Sequence, residues 1–142
     1  RVNKNFANEK KFGLHKISTY KNFAKKVAYS KIKLNKIFEN LIKKNKRIIG
    51  YGATAKSCTV LNYCKIKKGT IEYFYDTTSF KINKYLPGTK IKIKKYKELS
   101  KKDADYVFLG AWNFKDEIFR KEKKFIKSGG KFITHIPIPK VL

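Results

Sequence analysis

The sequence predicts an α/β domain in which helices cover both faces of a mostly parallel sheet, preceded by a long N-terminal helix. Short apolar segments rich in Ile, Val, Phe and Tyr alternate with segments whose apolar residues recur every three or four positions. A glycine turn directly follows the first apolar segment and opens a helix-like one. The length of 142 residues and the hydrophobic content of 42% fit one domain with a core of ordinary size.

The N-terminal segment differs in character from the rest of the chain. Residues 1–17 are polar, and we expect a linker or the tail of a preceding domain there, with the α/β domain over 18–142. The sequence contains no Met, which indicates that the chain is trimmed or belongs to a longer polypeptide. Ser18 or Thr19 is expected to cap the long helix. Its apolar stripe consists of Tyr20, Phe23, Val27, Leu34, Ile37 and Leu41.

The first half of the domain predicts two strands and one helix. Residues 47–52, RIIGYG, form a short apolar strand that ends in the glycine turn, and residues 53–66 are helix-like. Residues 70–76, TIEYFYD, form the next strand, which ends at Asp76. Pro87 and Gly88 are the turn signal of the loop that follows.

The second half continues the alternation. Residues 95–102 predict a short helix, residues 104–112 a buried strand, and residues 131–136 the last strand. Asn113 is expected to cap a helix over 114–128, with Asp116 and Glu117 favourably placed in its first turn. Strands that alternate with helices in this way are typical of a Rossmann-like domain.

The net charge of +26 raises the question of a nucleic-acid partner. Only three of the 36 basic residues are Arg, the side chain that phosphate and base recognition favours. The chain is also rich in Ile, Asn, Phe and Tyr, which share AT-rich codons with Lys, so genome composition accounts for much of the charge. We therefore expect no nucleic-acid partner, although the charge can help to attract an anionic ligand.

Composition also argues against a membrane or a disulfide framework. No segment approaches the roughly 18 apolar residues of a membrane span, and no apolar region marks a signal peptide. Cys58 and Cys64 are six residues apart on a predicted helix with no His nearby, so we expect free thiols and no zinc site. We expect a cytoplasmic protein with no membrane partner.

The glycine turn permits two interpretations. A P-loop, G-x-x-x-x-G-K-[ST], would place Ala55 where its second glycine should be. That interpretation fails because the Ala side chain obstructs the wrap around a phosphate, and no partner for magnesium is evident. A G-x-G-x-x-A turn fits better, with Gly50 for the tight turn, Gly52 for close approach of a ligand, and Ala55 for helix packing. The helix that it opens presents amide donors to an anion, and Asp76 follows at about the position of a ribose-binding acid.

Four blocks of the sequence extend this argument beyond the glycine turn. They are GYGATAKSCTVLNYCKI, IEYFYDTTSFKINKYLPGTKIKI, DADYVFLGAWNFKDEI and GGKFITHIPIP. In order and spacing, they resemble the C-terminal domain of the S-adenosylmethionine-dependent sugar C-methyltransferases. The resemblance covers roughly residues 50–139 and includes the preceding helix.

The resemblance implies a function for the chain as one part of an enzyme. Full-length proteins of that family have an N-terminal zinc-binding module, a central S-adenosylmethionine-binding domain with the proton-abstracting residues, and a Rossmann-like C-terminal domain. By resemblance, this chain binds a nucleotide-diphosphate-linked keto-deoxysugar, carries no cofactor of its own, and has the S-adenosylmethionine-binding domain of the same polypeptide as its partner. The isolated chain is then expected to show no turnover.

The glycine turn and the resemblance together select candidate substrate-binding residues, with no catalytic residue and no metal ligand among them. Backbone amides, the Thr54 hydroxyl and the Lys56 ammonium suit a sugar-linked pyrophosphate. The full set is Tyr51, Gly52, Ala53, Thr54, Lys56, Asp76, Lys81, Tyr85, Pro87, Gly88, Trp112 and Asn113.

Several of these residues also have a structural interpretation. Lys56 can be a solvated lysine, Asp76 a turn residue, Tyr85 a core aromatic and Asn113 a helix cap. Trp112 can wall the substrate cleft or pack on the missing domain. His135, at the end of the last strand, is expected to be structural rather than catalytic.

The sequence also departs from the family pattern. Asn83 stands where the family commonly has Gly, and Lys90 and Lys92 lie within PGTKIKI where the family commonly has PGTHIPI. These changes bear on which nucleotide-linked substrate is bound.

Three other functions remain open at this stage. An NAD-binding domain of an oxidoreductase would use the same glycine turn and Asp76, but no catalytic Tyr–Lys or Cys–His set accompanies them. A basic nucleic-acid-binding module would show affinity that falls steeply with salt. A purely structural domain would dock on the methyltransferase domain without touching a ligand.

Overall fold

A single seven-stranded sheet organises the domain in the computed structural model, which describes residues 2–142. The strand order is β3-β4-β2-β1-β5-β6-β7. The strands are β1 (Ile48–Tyr51), β2 (Tyr73–Asp76), β3 (Tyr85–Leu86), β4 (Ile91–Lys95), β5 (Tyr106–Leu109), β6 (Lys131–Thr134) and β7 (Lys140–Val141).

The α/β class is confirmed, but the sheet is mixed. The five central strands are parallel, in a register that pairs Gly50 of β1 with Phe74 of β2 and Phe108 of β5. The two-residue strands β3 and β7 are antiparallel to β4 and β6. Both edge strands return through short connections, which place a strand antiparallel to its neighbour.

Five helices lie around this sheet. They are α1 (Val2–Lys11), α2 (Ile17–Lys43), α3 (Ala55–Tyr63), α4 (Lys115–Lys121) and α5 (Lys123–Lys127), with 3-10 turns at Ser79–Lys81 and Trp112–Phe114. None of the helices in the described part of the chain is long and apolar enough to cross a membrane.

Helices cover both faces of the sheet, as predicted. On one face, buried residues of α2 and α3, among them Phe38 and Leu61, form a core cluster with Phe74 and Phe108 of the strands. On the other face, Ile118 of α4 and Phe125 of α5 belong to a second cluster with strand residues Ile49, Val107 and Phe132. Apolar burial on both faces is typical of a sheet whose central strands read as continuous apolar segments.

The long N-terminal helix is confirmed, with a different start. Lys16 is the residue before its first turn, and no side chain caps it. Thr19 instead donates its hydroxyl to the carbonyl of Gly13 at 2.8 Å. The apolar stripe is buried only in the second half of α2, while Tyr20 and Phe23 in the first half remain 52% and 66% exposed. Residues 2–11 of the expected tail are helical, and none of them is buried.

Two predicted helices differ from the structure. The helix expected over 114–128 is interrupted at Glu122, whose φ and ψ are −94° and 24°. Residues 96–100 are irregular rather than helical. The Glu122 carboxylate accepts hydrogen bonds from the Tyr96 hydroxyl at 2.7 Å and from the Leu99 amide at 3.2 Å. The Leu99 amide is thereby taken up by a tertiary bond, whereas the backbone of Glu122 keeps its bonds to Ile118 and Ile126 and departs from the helix only in its φ and ψ.

Asn83 has a left-handed backbone conformation, with φ of +64°. This explains the departure from the family pattern, because glycine enters the left-handed region freely and Asn is the side chain that tolerates it best. The turn between the Ser79–Lys81 segment and β3 therefore keeps its shape with Asn83.

Asn83→Val should lower the free energy of unfolding by about 1–2 kcal/mol, because a β-branched residue is strained in the left-handed region. Asn83→Gly should change it little. Urea denaturation of both variants measures this, with exposed Lys84→Val as the matched control. A loss in Lys84→Val as large as that in Asn83→Val would contradict the backbone explanation.

His135 is 3% exposed and stacks on Phe108 with 5.4 Å between ring centroids. In the described part of the chain its Nδ1 has no hydrogen-bond partner. Burial lowers the pKa of this imidazole from 6.5 to about 4, so the side chain is neutral in the folded protein at pH 7. The expected structural role fits this packing.

Stability should fall as the pH is lowered from about 6.5 to about 4, because over that interval the unfolded chain binds a proton at His135 that the folded chain does not. The loss attributable to this residue should be on the order of 3 kcal/mol. Urea denaturation at several pH values, compared between the native chain and His135→Leu, isolates it from carboxylate titration. Identical pH profiles for the two proteins would exclude the effect.

Candidate functional site

The candidate site lies where the carboxyl ends of β1, β2 and β5 meet the start of α3. Gly52 directly follows β1, Asp76 is the last residue of β2, and Ala111 lies two residues beyond β5. Parallel strands place these ends at one edge of the sheet, and the crevice outside that edge is the usual ligand position in open α/β sheets.

Two glycines of the turn have separate roles. Gly52 has φ of +82°, and a Cβ there would lie 2.6 Å from the Cβ of Ala111, so a side chain would be both strained and crowded. Gly50 was predicted to lie in the turn, but it lies inside β1. The ring of Phe74 occupies the space that a side chain at Gly50 would need.

Thr54 and Ser57 fix the start of α3 against the turn. Thr54 is the N-cap residue, and its Oγ1 accepts a hydrogen bond from the Ser57 amide at 3.1 Å. The fully buried Ser57 hydroxyl donates to the carbonyl of Gly52 at 2.9 Å. Gly110 lies so close to this pair that a Cβ at its position would overlap the Ser57 hydroxyl.

Asp76 connects the turn to the loop after β2. Its Oδ2 accepts a hydrogen bond from the Ala53 amide and its Oδ1 accepts one from the Thr78 amide, each at 2.8 Å. The ammonium of Lys81 lies 3.4 Å from Oδ2 and donates to the carbonyl of Ala53 at 3.0 Å. Burial opposes ionisation of Asp76, but the hydrogen bonds from Thr78, the charge of Lys81 and the Ala53 amide together lower its pKa below the usual value.

The largest part of the crevice is a cavity of about 360 Å³, which we call the tyrosine cavity. It contains five of the predicted site residues and adds nine others, which are two tyrosines, two threonines, one acid, one lysine and three apolar residues. Its walls are formed by Tyr51, Gly52, Thr54, Tyr75, Asp76, Thr77, Thr78, Lys81, Tyr96, Ala111, Phe114, Glu117, Ile118 and Lys121.

A second cavity of about 300 Å³, which we call the lysine cavity, shares Thr54, Ala111 and Phe114 with the first. Its other lining residues are Ala55, Lys56, Gly110 and Asn113. It thus adjoins the first amides of α3.

The Lys56 ammonium is held at the lysine cavity by two side chains from the loop after β5. It donates a hydrogen bond to Oδ1 of Asn113 at 2.8 Å and lies 5.3 Å from the centre of the Trp112 ring. Asn113 is therefore not the helix cap that its sequence position suggested, and Phe114 precedes the first turn of α4. Among the described residues, the amides of Ala55 and Lys56 have no hydrogen-bond acceptor.

The tyrosine cavity lies over a buried acid. Tyr51 and Tyr96 meet edge to face with ring centroids 5.6 Å apart, and the Tyr96 hydroxyl donates to Glu122. Burial and then the charge of Glu122 raise the pKa of Tyr51 far above its usual value. Burial and then the hydrogen bond to Glu122 do the same for Tyr96. Both hydroxyls therefore keep their protons over the whole physiological range.

Among the residues of this site that sequence reasoning missed are Ser57, Tyr75, Thr78, Tyr96 and Glu122. For one of them a signal was present. Ile118, Glu122 and Phe125 follow the i, i+4, i+7 spacing of one helix face, so an acid interrupts an apolar stripe. An acid at such a position is expected to be buried and hydrogen-bonded.

Three of the predicted site residues lie elsewhere. Tyr85, Pro87 and Gly88 are in the β3–β4 hairpin at the opposite edge of the sheet. Tyr85 is 61% exposed, and the Pro87 carbonyl accepts a hydrogen bond from Asn62 near the end of α3 at 3.0 Å. This chain alone therefore does not bring them to the crevice.

Within residues 2–142, no group of three or more His, Cys, Asp or Glu side chains is placed to hold a metal ion. Cys58 and Cys64 are free thiols, and burial raises the pKa of both.

Asp76→Asn should lower the free energy of unfolding at pH 7 by about 2 kcal/mol, because an amide cannot accept all the bonds that reach the carboxylate and leaves the Lys81 charge unpaired. Urea denaturation measures the change. Asp116→Asn, at an 89% exposed side chain, is the matched control and should be nearly neutral. Equal losses in the two variants would contradict the assigned role of Asp76.

Two comparisons with known proteins agree with this geometry. The family described as the C-methyltransferase C-terminal domain matches residues 1–137. The chain is also 33% identical over 136 residues to the C-methyltransferase NovU of Streptomyces niveus. That alignment covers 96% of this chain and 32% of the relative, so the chain spans about a third of the length of the curated relative it matches. The chain therefore belongs to the family of C-methyltransferase C-terminal domains.

Proposed function

We propose that this domain binds the acceptor substrate of a C-methyltransferase, a nucleotide-diphosphate-linked keto-deoxysugar. The observation that carries the proposal is the crevice at the carboxyl ends of β1, β2 and β5, in a chain of this family. It joins amide donors, a held ammonium group and a cavity walled by aromatic and polar side chains. Such a combination suits a ligand with a charged centre and two neutral ends.

The pyrophosphate is proposed to lie in the lysine cavity. The amides of Ala55 and Lys56 point from the first turn of α3, where the helix dipole also favours an anion. The Lys56 ammonium adds a charge-assisted donor, and no acidic side chain lines this cavity. The excess of basic residues over acidic ones also favours approach of a dianion.

The methyl donor and the proton-abstracting groups are proposed to lie outside this chain, in the S-adenosylmethionine-binding part of the same cytoplasmic enzyme. The domain would then hold the sugar while a base removes a proton beside its ketone, which makes that C–H acidic enough to react. Its contribution is the placement of the reacting carbon. On this proposal the isolated domain binds substrate without turnover and needs no cofactor.

Calorimetric titration of this chain with deoxythymidine diphosphate, S-adenosylmethionine and NAD at two salt concentrations tests the proposal. Saturable binding of the nucleoside diphosphate alone is the expected result. Tight binding of NAD would instead identify an oxidoreductase domain. In a parallel titration with duplex DNA, affinity with a steep salt dependence, without any preference for the nucleoside diphosphate, would also overturn the proposal.

Lys56→Ala should weaken binding of deoxythymidine diphosphate about tenfold or more, because it removes a charge-assisted hydrogen bond to the pyrophosphate. Asn113→Asp should weaken it similarly, because a carboxylate 2.8 Å from the ammonium would cancel its charge. Titration calorimetry measures both effects.

The matched control for Lys56→Ala is Lys68→Ala, which changes the net charge equally at an exposed position on the opposite edge of the sheet. Its affinity should equal that of the native chain. If both lysine variants lose the same affinity, the attraction is a general charge effect and the pyrophosphate does not lie at Lys56.

A further inference from the structure

Tyr96, which lines the tyrosine cavity, is bonded to a buried acid that the proposed function does not use. Glu122 is 1% exposed, and within the described residues no lysine or arginine forms a salt bridge with it. A buried carboxylate without a cation is strongly unfavourable unless its oxygens accept hydrogen bonds. Here Oε1 accepts from the Tyr96 hydroxyl at 2.7 Å and Oε2 accepts from the Leu99 amide at 3.2 Å.

The backbone is shaped around this acid. Glu122 lies between α4 and α5, and its backbone has a sparsely populated conformation that separates the two helices. An apolar residue at this position would have continued the stripe of Ile118 and Phe125. Burial of the acid and interruption of the helix both cost stability. A buried acid and an interrupted helix at a residue bonded to the cavity wall indicate that Glu122 has a role in the cavity.

The bond between Tyr96 and Glu122 determines what the cavity can recognise. A phenol hydroxyl has one proton and two lone pairs. A carboxylate only accepts, so the 2.7 Å contact commits the Tyr96 proton to Glu122. What remains for a ligand in the cavity lined by Tyr96 is an oxygen that accepts a hydrogen bond.

We propose that Glu122 is a positioning residue that holds Tyr96 as a hydrogen-bond acceptor toward the ligand, so that the tyrosine cavity binds a neutral donor group and excludes phosphate. A phosphate oxygen only accepts, and it would meet a lone pair backed by a buried negative charge. The complementary groups of a nucleotide-linked sugar are a sugar hydroxyl or a ring N–H of the base.

This inference rests on the proposed function and adds an orientation to it. The lysine cavity has a held ammonium, free amides and no acid in its lining. The tyrosine cavity is lined by both Asp76 and Glu117 and both Lys81 and Lys121, so its acids and lysines balance, and the orientation rests on the acceptor oxygen of Tyr96. The two cavities meet at Thr54, Ala111 and Phe114. The substrate therefore runs from its phosphates beside Lys56 to a neutral, donor-bearing end over Tyr96.

Titration of this chain with three probes tests the orientation: inorganic pyrophosphate, deoxythymidine diphosphate, and a deoxythymidine-diphosphate-linked hexose. Tyr96→Phe removes the acceptor oxygen and keeps the ring, and it should leave the affinity for pyrophosphate unchanged. It should lower the affinity for the linked hexose about tenfold. If Tyr96→Phe lowers the affinity for deoxythymidine diphosphate equally, the donor group is on the base. If that affinity does not change, the donor group is on the sugar.

The positioning role is tested by a double-mutant cycle and two controls. Glu122→Gln should weaken binding of the linked hexose in the native chain but add little in the Tyr96→Phe background, because it acts through the Tyr96 hydroxyl. Additive losses would overturn the positioning role. Tyr29→Phe, at a 57% exposed tyrosine of α2, should leave all affinities unchanged. Thermal unfolding of each variant separates loss of affinity from loss of fold.

The outcomes separate this inference from the proposed function. If Lys56→Ala weakens all three probes and Tyr96→Phe weakens none, the domain binds the nucleotide and the inference about Tyr96 is wrong. If Tyr96→Phe weakens pyrophosphate as much as the linked hexose, the proposed orientation is wrong. If the native chain binds none of the probes, both proposals fail together.

Discussion

The Asp76 carboxylate is the interaction on which the geometry of the crevice depends. The turn after β1 meets the end of β2 through a backbone bond from the Gly52 amide to the Tyr75 carbonyl at 2.8 Å, and the Asp76 side chain extends this contact to the loop before β3. Asp76 connects them through the amides of Ala53 and Thr78 and the ammonium of Lys81. Hydrogen bonds to a buried carboxylate are among the stronger ones in proteins. The Asp76 carboxylate has three such partners. Asp76, at about the position of a ribose-binding acid, thus bonds to the protein's own backbone.

The same principle appears on the other side of the crevice. Lys56 reaches from α3 to Asn113, and Ser57 reaches back from α3 to the carbonyl of Gly52. Both walls are therefore set by side chains bonded across loops rather than by the loops themselves. A crevice built in this way is organised before a ligand arrives, which reduces the ordering that binding requires.

Local signals in the sequence were sufficient for the elements whose causes are local. The apolar run before Gly52, the glycine turn that opens α3 and the apolar stripe of α2 each predicted an element that the structure contains. The candidate residues around the glycine turn were also brought together, because a turn and a strand end are neighbours by topology.

The differences arose where distant residues determine the backbone. Glu122 bonds to Tyr96 and Leu99, 26 and 23 residues away, and no periodicity reveals this contact between the two segments. Asn113 followed the rule for helix caps, but Lys56 occupies its side chain. The sequence of the β3–β4 hairpin resembles a block of the family. The antiparallel pairing of β3 with β4 nevertheless carries Tyr85 to the far edge of the sheet.

The partly buried helix α2 has a mechanical consequence. Its 27 residues span about 40 Å, and only the last third or so, from Leu34 onward, is packed into the core. The remaining part is a rigid arm about 25 Å long that pivots on the sheet. A rotation of about 10° at Leu34 would carry Ile17 through about 4 Å, as geometry requires of a rigid rod of that length. Small adjustments of packing at Leu34 are thus amplified at the start of α2.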